Sequence, residues 1–284
     1  MSVILEFLKS IIYGVIQGIT EWLPISSTGH MILVRTFMPL LPFTSESSNQ
    51  AFWDMYKVVI QFGSILAVVI LFWNKLWPLK SDLEPKKRKN ILRLWFMVII
   101  GCIPAGILGV LFEDIIDEVL SATWVIGLAL IVYGVLFIWM ENQNREYSVK
   151  STGAITVSKA LGVGAFQALA LIPGTSRSGS TILGATLLGF NRKTAAEYSF
   201  FLAIPVMFGA SALKLVKYVV KGAELNGVAF MDLVIGFVVA FFVSITVIRK
   251  LMEYIRNHDF KVFGYYRIVL GIFVIILSIM GVIS

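Results

Sequence analysis

The chain has 284 residues, of which 58% are hydrophobic and 14% charged, and its mean hydropathy is +0.86. Soluble domains run at about 45–50% apolar and about 25% charged, so a soluble core is excluded and an all-α polytopic membrane protein is expected; the apolar runs are long and do not alternate as barrel strands do. The net charge of +7 gathers in short loops and is not a nucleic-acid footprint, and the single cysteine, Cys102, cannot form an intramolecular disulfide.

The N-terminus does not read as a cleaved signal peptide. It lacks a basic leading region, and Glu6 and Lys9 interrupt the apolar start. The first apolar region, about 3–40, is broken by Gln17-Gly18-Ile19-Thr20-Glu21-Trp22-Leu23-Pro24-Ile25-Ser26-Ser27-Thr28-Gly29-His30. Ionisable groups inside a bilayer are expensive and are functional candidates by default. Gln17 and Glu21 are four apart and share one helical face, where they can bind a divalent cation or position a water. Pro24 ends that helix. Ser26, Ser27 and Thr28 then offer hydroxyls and backbone N–H groups at a helix start, which is a ready anion site. His30 is within reach of this turn, and an imidazole suits proton transfer near neutral pH.

Three spans of roughly 20 residues follow, at about 54–74, 93–112 and 120–140. A second interrupted region, about 156–190, carries Pro173-Gly174-Thr175-Ser176-Arg177-Ser178-Gly179-Ser180-Thr181. It reads as a phosphate cradle. Gly174 lets backbone approach a ligand closely, Thr175, Ser176, Ser178 and Thr181 supply polar groups, and Arg177 grips phosphate oxygens with a planar cation. Three more spans close the chain, at about 198–220, 229–248 and 264–283.

The order is broken pair and three spans, twice over. Each broken pair enters and leaves on one side, and three is odd, so the second half (146–284) is expected to be inverted relative to the first (1–145) within one membrane domain. Aligning Pro24 with Pro173 supports the repeat, placing Ser26 over Thr175 and Ser27 over Ser176. Basic loops set the expected topology: Lys75 to Arg93, then Arg145, Lys150 and Lys159, then Arg192 and Lys193, then Arg249 to Lys261. The stretch near 113–119 is acidic, with Glu113, Asp114, Asp117 and Glu118, and reads as an outer loop. Residues 75–93 are then cytoplasmic, and the N-terminus, first broken pair and C-terminus face outward.

Bland readings stand beside these. Glu21 and Arg177 could be a structural ion pair, the serines could satisfy broken-helix backbone, and His30 could be a packed core histidine. His258 reads as exposed. Lys57 and Arg267 either face the site or snorkel. Known phosphatase designs fit poorly: Cys102 has no following arginine in a phosphate loop, a histidine-nucleophile enzyme would need a second membrane histidine, and no Gly-rich, Lys-containing nucleotide loop is present.

At these residues the chain resembles the undecaprenyl-pyrophosphate phosphatase family, also called the bacitracin-resistance protein family. Gln17 and Glu21 match its Glu/Gln-x-x-x-Glu motif, and Pro173 to Thr181 match its Pro-Gly-x-Ser-Arg-Ser-x-x-Thr motif. Ile60 to Ala67, Ile103 to Gly106, Ala195 to Phe200 and Tyr266 to Ile268 are also similar. The resemblance implies a bacterial plasma-membrane enzyme that removes the terminal phosphate from a C55 polyprenyl diphosphate lipid, regenerating the carrier for peptidoglycan synthesis. It implies dependence on Mg²⁺ or Ca²⁺, an active site open to the outer face, and membrane lipids and no nucleic acid as surroundings; it allows a homodimer. Position 17 is Gln where many members have Glu, so metal binding would fall on Glu21. The expected roles are Arg177 and the Ser176 region as phosphate clamp, Glu21 as metal ligand or activating base, Ser27 or a water as nucleophile, and His30 as proton carrier. The competing class is a polyprenyl-phosphate or phospholipid transporter, since inverted repeats are a transporter architecture.

Overall fold

The structure, a computed structural model, describes residues 3–81, 83–120, 122–143, 146–220 and 225–283, without the side chains of 113, 114, 116–118, 217 and 219. Arg145, used above for topology, lies outside that description, as does the expected boundary at 145/146; of Glu113, Asp114, Asp117 and Glu118 only the backbone is described.

All regular structure among the described residues is helical apart from one isolated bridge, Val149 to Phe190. The helices are α1 (Val3–Thr20), α2 (Ser27–Phe37), α3 (Glu46–Leu71), a single turn α4 (Trp73–Leu76), α5 (Pro85–Leu120), α6 (Thr123–Glu141), α7 (Val157–Ala168), α8 (Arg177–Leu187), α9 (Arg192–Val220), α10 (Gly227–Asn257) and α11 (Lys261–Ile279). Seven of them are long and apolar enough to cross a membrane. Three expectations need correcting. Val3–Thr20 is itself of spanning length: Gln17 to Thr20 form its last turn, and the helix breaks only at Glu21. The acidic stretch 113–119 is the end of α5 and not a loop. Helices α3, α5, α9 and α10 overshoot the apolar windows, because polar residues extend a helix into the interface at little cost.

Side-chain pairings give the direction of each helix. Ser10 donates to the Asp232 carbonyl and Ser244 to that of Gly18, so α1 and α10 are parallel. Tyr56 lies against Gly236 and Ser244 bonds Ser64, so α3 runs with them. On the other side, Arg93 reaches the Ile155 carbonyl and Gly164 packs on Pro104, so α5 and α7 are parallel. Tyr198 donates to the Met97 carbonyl and Cys102 to that of Leu202, adding α9. Helices α3 and α9 are antiparallel, with Phe72 on Phe201 and Phe62 on Phe208. Two parallel triads, α1–α3–α10 and α7–α9–α5, therefore run in opposite directions. Exchanging α1, α2, α3, α5 and α6 for α7, α8, α9, α10 and α11 preserves this pairing, which is the inverted repeat.

The remaining helices, α6 and α11, form an antiparallel pair. Gly127 faces Gly271 and Gly134 faces Gly264, and a Cβ on any of the four would lie 2.6–2.9 Å from the opposing glycine carbonyl. Close backbone approach of small residues is how membrane helices gain packing when no hydrophobic drive separates helix from lipid. This pair closes the side of the molecule against which both broken regions lean.

Candidate active site between two broken helices

The elbow from Glu21 to Ser26 joins α1 to α2, and the elbow from Ile172 to Ser176 joins α7 to α8. Both end alike. Ser26 (φ 73°) and Ser176 (φ 70°) are the only described non-glycine residues with positive φ. Each caps its helix, Ser26 Oγ accepting from Gly29 N at 3.4 Å and Ser176 Oγ from Gly179 N at 3.1 Å. A strained cap costs about 1–3 kcal/mol and persists where its surroundings over-determine it. Here they do, because irregular backbone at membrane depth must be satisfied by protein.

Arg267 of α11 supplies much of that satisfaction. Fully buried, it donates to the carbonyls of Pro24 (3.0 Å) in one elbow and of Gly174 (3.1 Å) and Thr175 (2.9 Å) in the other, and more weakly to Leu130 (3.4 Å). Its guanidinium lies over the Tyr133 ring at 5.3 Å. It neither snorkels nor enters the site; it holds the two elbows together. Ser178 adds a second tie, its hydroxyl donating to the carbonyls of Glu21 (3.0 Å) and Leu23 (3.2 Å). Gly174 sits at φ +89°, where a side chain would meet the backbone of Ile126 at 2.6 Å, so both conformation and space require glycine.

So held, the elbows bring Glu21, Ser27 and Arg177 together. Glu21 Oε1 accepts from Arg177 Nη2 at 2.9 Å, and its Oε2 accepts from Ser27 Oγ and from Gln17 Nε2, each at 3.1 Å. Arg177 Nη1 donates to the Ser199 carbonyl at 2.9 Å, and the guanidinium stacks on Trp22 at 5.4 Å. Arg177 Nε is buried without a partner. Thr181 bonds the Ser199 hydroxyl and the Arg177 carbonyl, and so braces the arginine's own turn. Glu21, Ser27, Thr28, Gly174, Ser176, Arg177 and Ser178 line a cavity of about 140 Å³. The first turns of α2 and α8 both face it, and unpaired N–H groups at a helix start attract anions.

Several sequence expectations land elsewhere. His30 does not line this cavity. Its Nδ1 donates to the Ser26 carbonyl at 2.7 Å, and its Nε2 is hydrogen-bonded with Tyr266 Oη at 2.7 Å. It ties α2 to α11. Ser26 and Thr175 are each about 1% exposed and serve the elbows, not the cavity. Thr181 acts through Ser199. Conversely, Gln61 and Met207 line the cavity, and Ser199 and Trp22 hold Arg177; no charge or spacing distinguished them. The stretches around Gln61 and Ser199 carried only the family resemblance.

Among the described residues no cluster of three or more His, Cys, Asp or Glu could cage a metal. What stands at the cavity is oxygen, the Glu21 carboxylate and the Ser27 hydroxyl, with the Gln17 amide bonded to that carboxylate through its nitrogen. One carboxylate and neutral oxygens fit Mg²⁺ or Ca²⁺, which complete their shells with water and phosphate oxygens.

The chain matches the family described as "Bacitracin resistance protein BacA" over residues 10–273. It is 54% identical over 272 residues to "Undecaprenyl-diphosphatase 1" of Clostridioides difficile (strain 630), covering 96% of each chain. It is 50% identical over 278 residues to "Undecaprenyl-diphosphatase" of Enterococcus faecalis, covering 96% of this chain and 98% of the relative. A protein of the same description from Acetivibrio thermocellus is 49% identical over 274 residues, with 96% and 97% covered.

Proposed function

We propose, on the premise that this chain belongs to the bacitracin resistance protein BacA family, that it is an integral membrane undecaprenyl-diphosphatase. It hydrolyses undecaprenyl diphosphate to undecaprenyl phosphate and inorganic phosphate. One observation carries the reading of the site: a single carboxylate, Glu21, is shared by a hydroxyl at one helix start and a guanidinium at the other. A hydroxyl within hydrogen-bond reach of a base that a third group orients is the signature of an activated nucleophile.

In this reading Ser27 Oγ attacks the terminal phosphorus of the lipid diphosphate. The bond from that phosphorus to the bridging oxygen breaks, and the lipid monophosphate leaves with that oxygen. Glu21 takes the Ser27 proton. Water then cleaves the serine phosphate, releasing inorganic phosphate and restoring the hydroxyl. Arg177 and the N–H groups opening α2 and α8 meet the charge on the transferring group, which is where phosphoryl transfer is won. A divalent cation, held by Glu21 with Gln17 and Ser27, would neutralise diphosphate charge. His30, through Ser26 and Tyr266, positions the elbow.

The charge pattern supports a plasma-membrane placement with the cavity open outward. Lys75, Lys80, Lys86 to Lys89 and Arg192 to Lys193 cluster at the end of the molecule opposite Arg35 and Thr123. The transporter alternative gives no role to the serine–carboxylate contact. Phosphate release by purified protein in detergent, with and without EDTA, tests the enzyme. Trapping of phosphate on Ser27 after acid quench tests the nucleophile; full activity in Ser27→Ala would leave water in its place.

A further inference from the structure

Outside the inner cavity lies a wider cleft of about 650 Å³. The two share Ser27, Thr28, Gln61, Ala170 and Pro173 as walls, so one opens into the other. Their charges differ. Among the described residues, the only ionised side chains lining the inner cavity are Glu21 and Arg177, which pair and cancel. Among the described residues, the outer cleft is lined by Arg35, Lys57 and Lys214 and by no carboxylate. Asp54, one turn before Lys57, pairs with that lysine at 2.9 Å from outside the lining. Arg35 bonds the neutral Gln50, and among the described residues neither it nor Lys214 has a carboxylate in ion-pair reach.

Two of the cations are held in place. The Arg35 guanidinium lies 5.0 Å and the Lys57 ammonium 5.7 Å from the centre of the Trp53 ring. Fixing two cations on one aromatic ring has an electrostatic cost that an arriving anion relieves. The cleft also carries amide and hydroxyl donors in Gln61 and Thr28.

We infer that this cleft is a second anion site, outward of the first, in which Arg35, Lys57 and Lys214 hold a phosphate group. The inference rests on the phosphatase reading for its purpose: a phosphate dianion freed in a cavity whose charges cancel moves toward the outer cleft, whose three cations outnumber the one carboxylate, Asp54, paired with them. The same chemistry would receive the terminal phosphate of an incoming lipid before it reaches Arg177.

The test is equilibrium binding of inorganic phosphate to the purified full chain in detergent, which does not depend on hydrolysis. Wild type is expected to bind two phosphates, one lost in Arg177→Ala. In Lys57→Gln/Lys214→Gln the other should weaken at least tenfold, and Lys57→Arg/Lys214→Arg should restore it. Thermal unfolding of each variant guards against misfolding. Hydrolysis assays then separate the sources. A raised inhibition constant for phosphate with KM held assigns the site to the product; a raised KM assigns it to the incoming lipid. A single site, abolished by Arg177→Ala and unmoved by the paired lysine change, would overturn the inference. Two sites without hydrolysis would instead sink the phosphatase reading and leave this one standing.

Discussion

Replacing Arg177 by lysine keeps a cation and removes a fork. The guanidinium spans two acceptors, the Glu21 carboxylate through Nη2 and the Ser199 carbonyl through Nη1, each at 2.9 Å. An ammonium on a flexible stem can serve one of them, and it loses the planar stack on Trp22. A hydrogen bond to a charged group is worth about 1.5–3 kcal/mol, so losing one in the transition state predicts a fall of roughly 10- to 150-fold in kcat/KM. Arg177→Ala removes the charge altogether. Glu21, only 6% exposed as a side chain, would be left without its cation, and breaking a buried pair from one side costs about 3–5 kcal/mol of stability. The double variant Glu21→Gln/Arg177→Ala relieves that unpaired charge and should melt above Arg177→Ala while remaining inactive. The assays are phosphate release in detergent and thermal unfolding on the same preparations. Arg177→Lys with more than half of wild-type kcat/KM, or a double variant no more stable than Arg177→Ala, would refute a shared, buried, bidentate role.

Ser27→Ala should lose at least about a hundredfold in kcat, as expected when an activated nucleophile is removed, yet unfold within about 1 kcal/mol of wild type, since its one side-chain bond is to Glu21; equal losses in both assays would make it structural. Arg267→Gln cannot span both elbows and should destabilise by about 1–3 kcal/mol for each carbonyl left unsatisfied, with activity lost in proportion; a stable, inactive variant would place Arg267 in the chemistry. Gly174→Ala combines a positive φ with a backbone clash and should fold poorly, whereas Ser26→Gly exchanges a cap for relieved strain and should change stability by under about 1 kcal/mol; melting curves of the two decide. His30→Gln and Tyr266→Phe should reduce kcat by similar, non-additive factors with the pH–rate profile unmoved. A profile that loses a limb in His30→Gln would make the imidazole the proton carrier.

The membrane class and the two broken regions were legible because polar residues at membrane depth stand out against apolar runs. Glu21, Ser27 and Arg177 were legible for the same reason, although they are 156 residues apart across the ion pair. What holds them was not. Arg267 lies in an ordinary apolar helix, and a lone cation there reads equally as snorkelling; only its four carbonyl partners reveal it as a clasp. The partners of His30 were hidden for a different reason: a histidine three residues from a serine advertises chemistry, while its bond to Tyr266 depends on how α11 packs. The end of α5 is indistinguishable from a loop by charge, because an acidic turn and an acidic helix end look alike in composition.

The two repeats correspond one residue away from the register of their prolines, and the shift bears on the site. Alignment on the prolines sets Ser27 over Ser176. The structure pairs Ser26 with Ser176, since both are caps at positive φ, and Gly29 with Gly179, since both donate to those caps. Gln17 and Gln167 fall at the same offset. The elbow after Pro173 is simply one residue longer than that after Pro24. In the corrected register Ser27 is the counterpart of Arg177, and Glu21 is the counterpart of Leu171. The pseudo-two-fold relation therefore does not place like beside like. It brings the hydroxyl opening one helix to the guanidinium opening its mate, and only one repeat supplies the carboxylate that joins them. The counterpart amide, Gln167, is buried with both polar atoms unpartnered, having no acid to meet. Two equivalent elbows thus make one reaction chamber. Symmetry accounts for the facing helix starts that attract an anion, and the departures from symmetry at positions 21 and 27 account for the chemistry done to it.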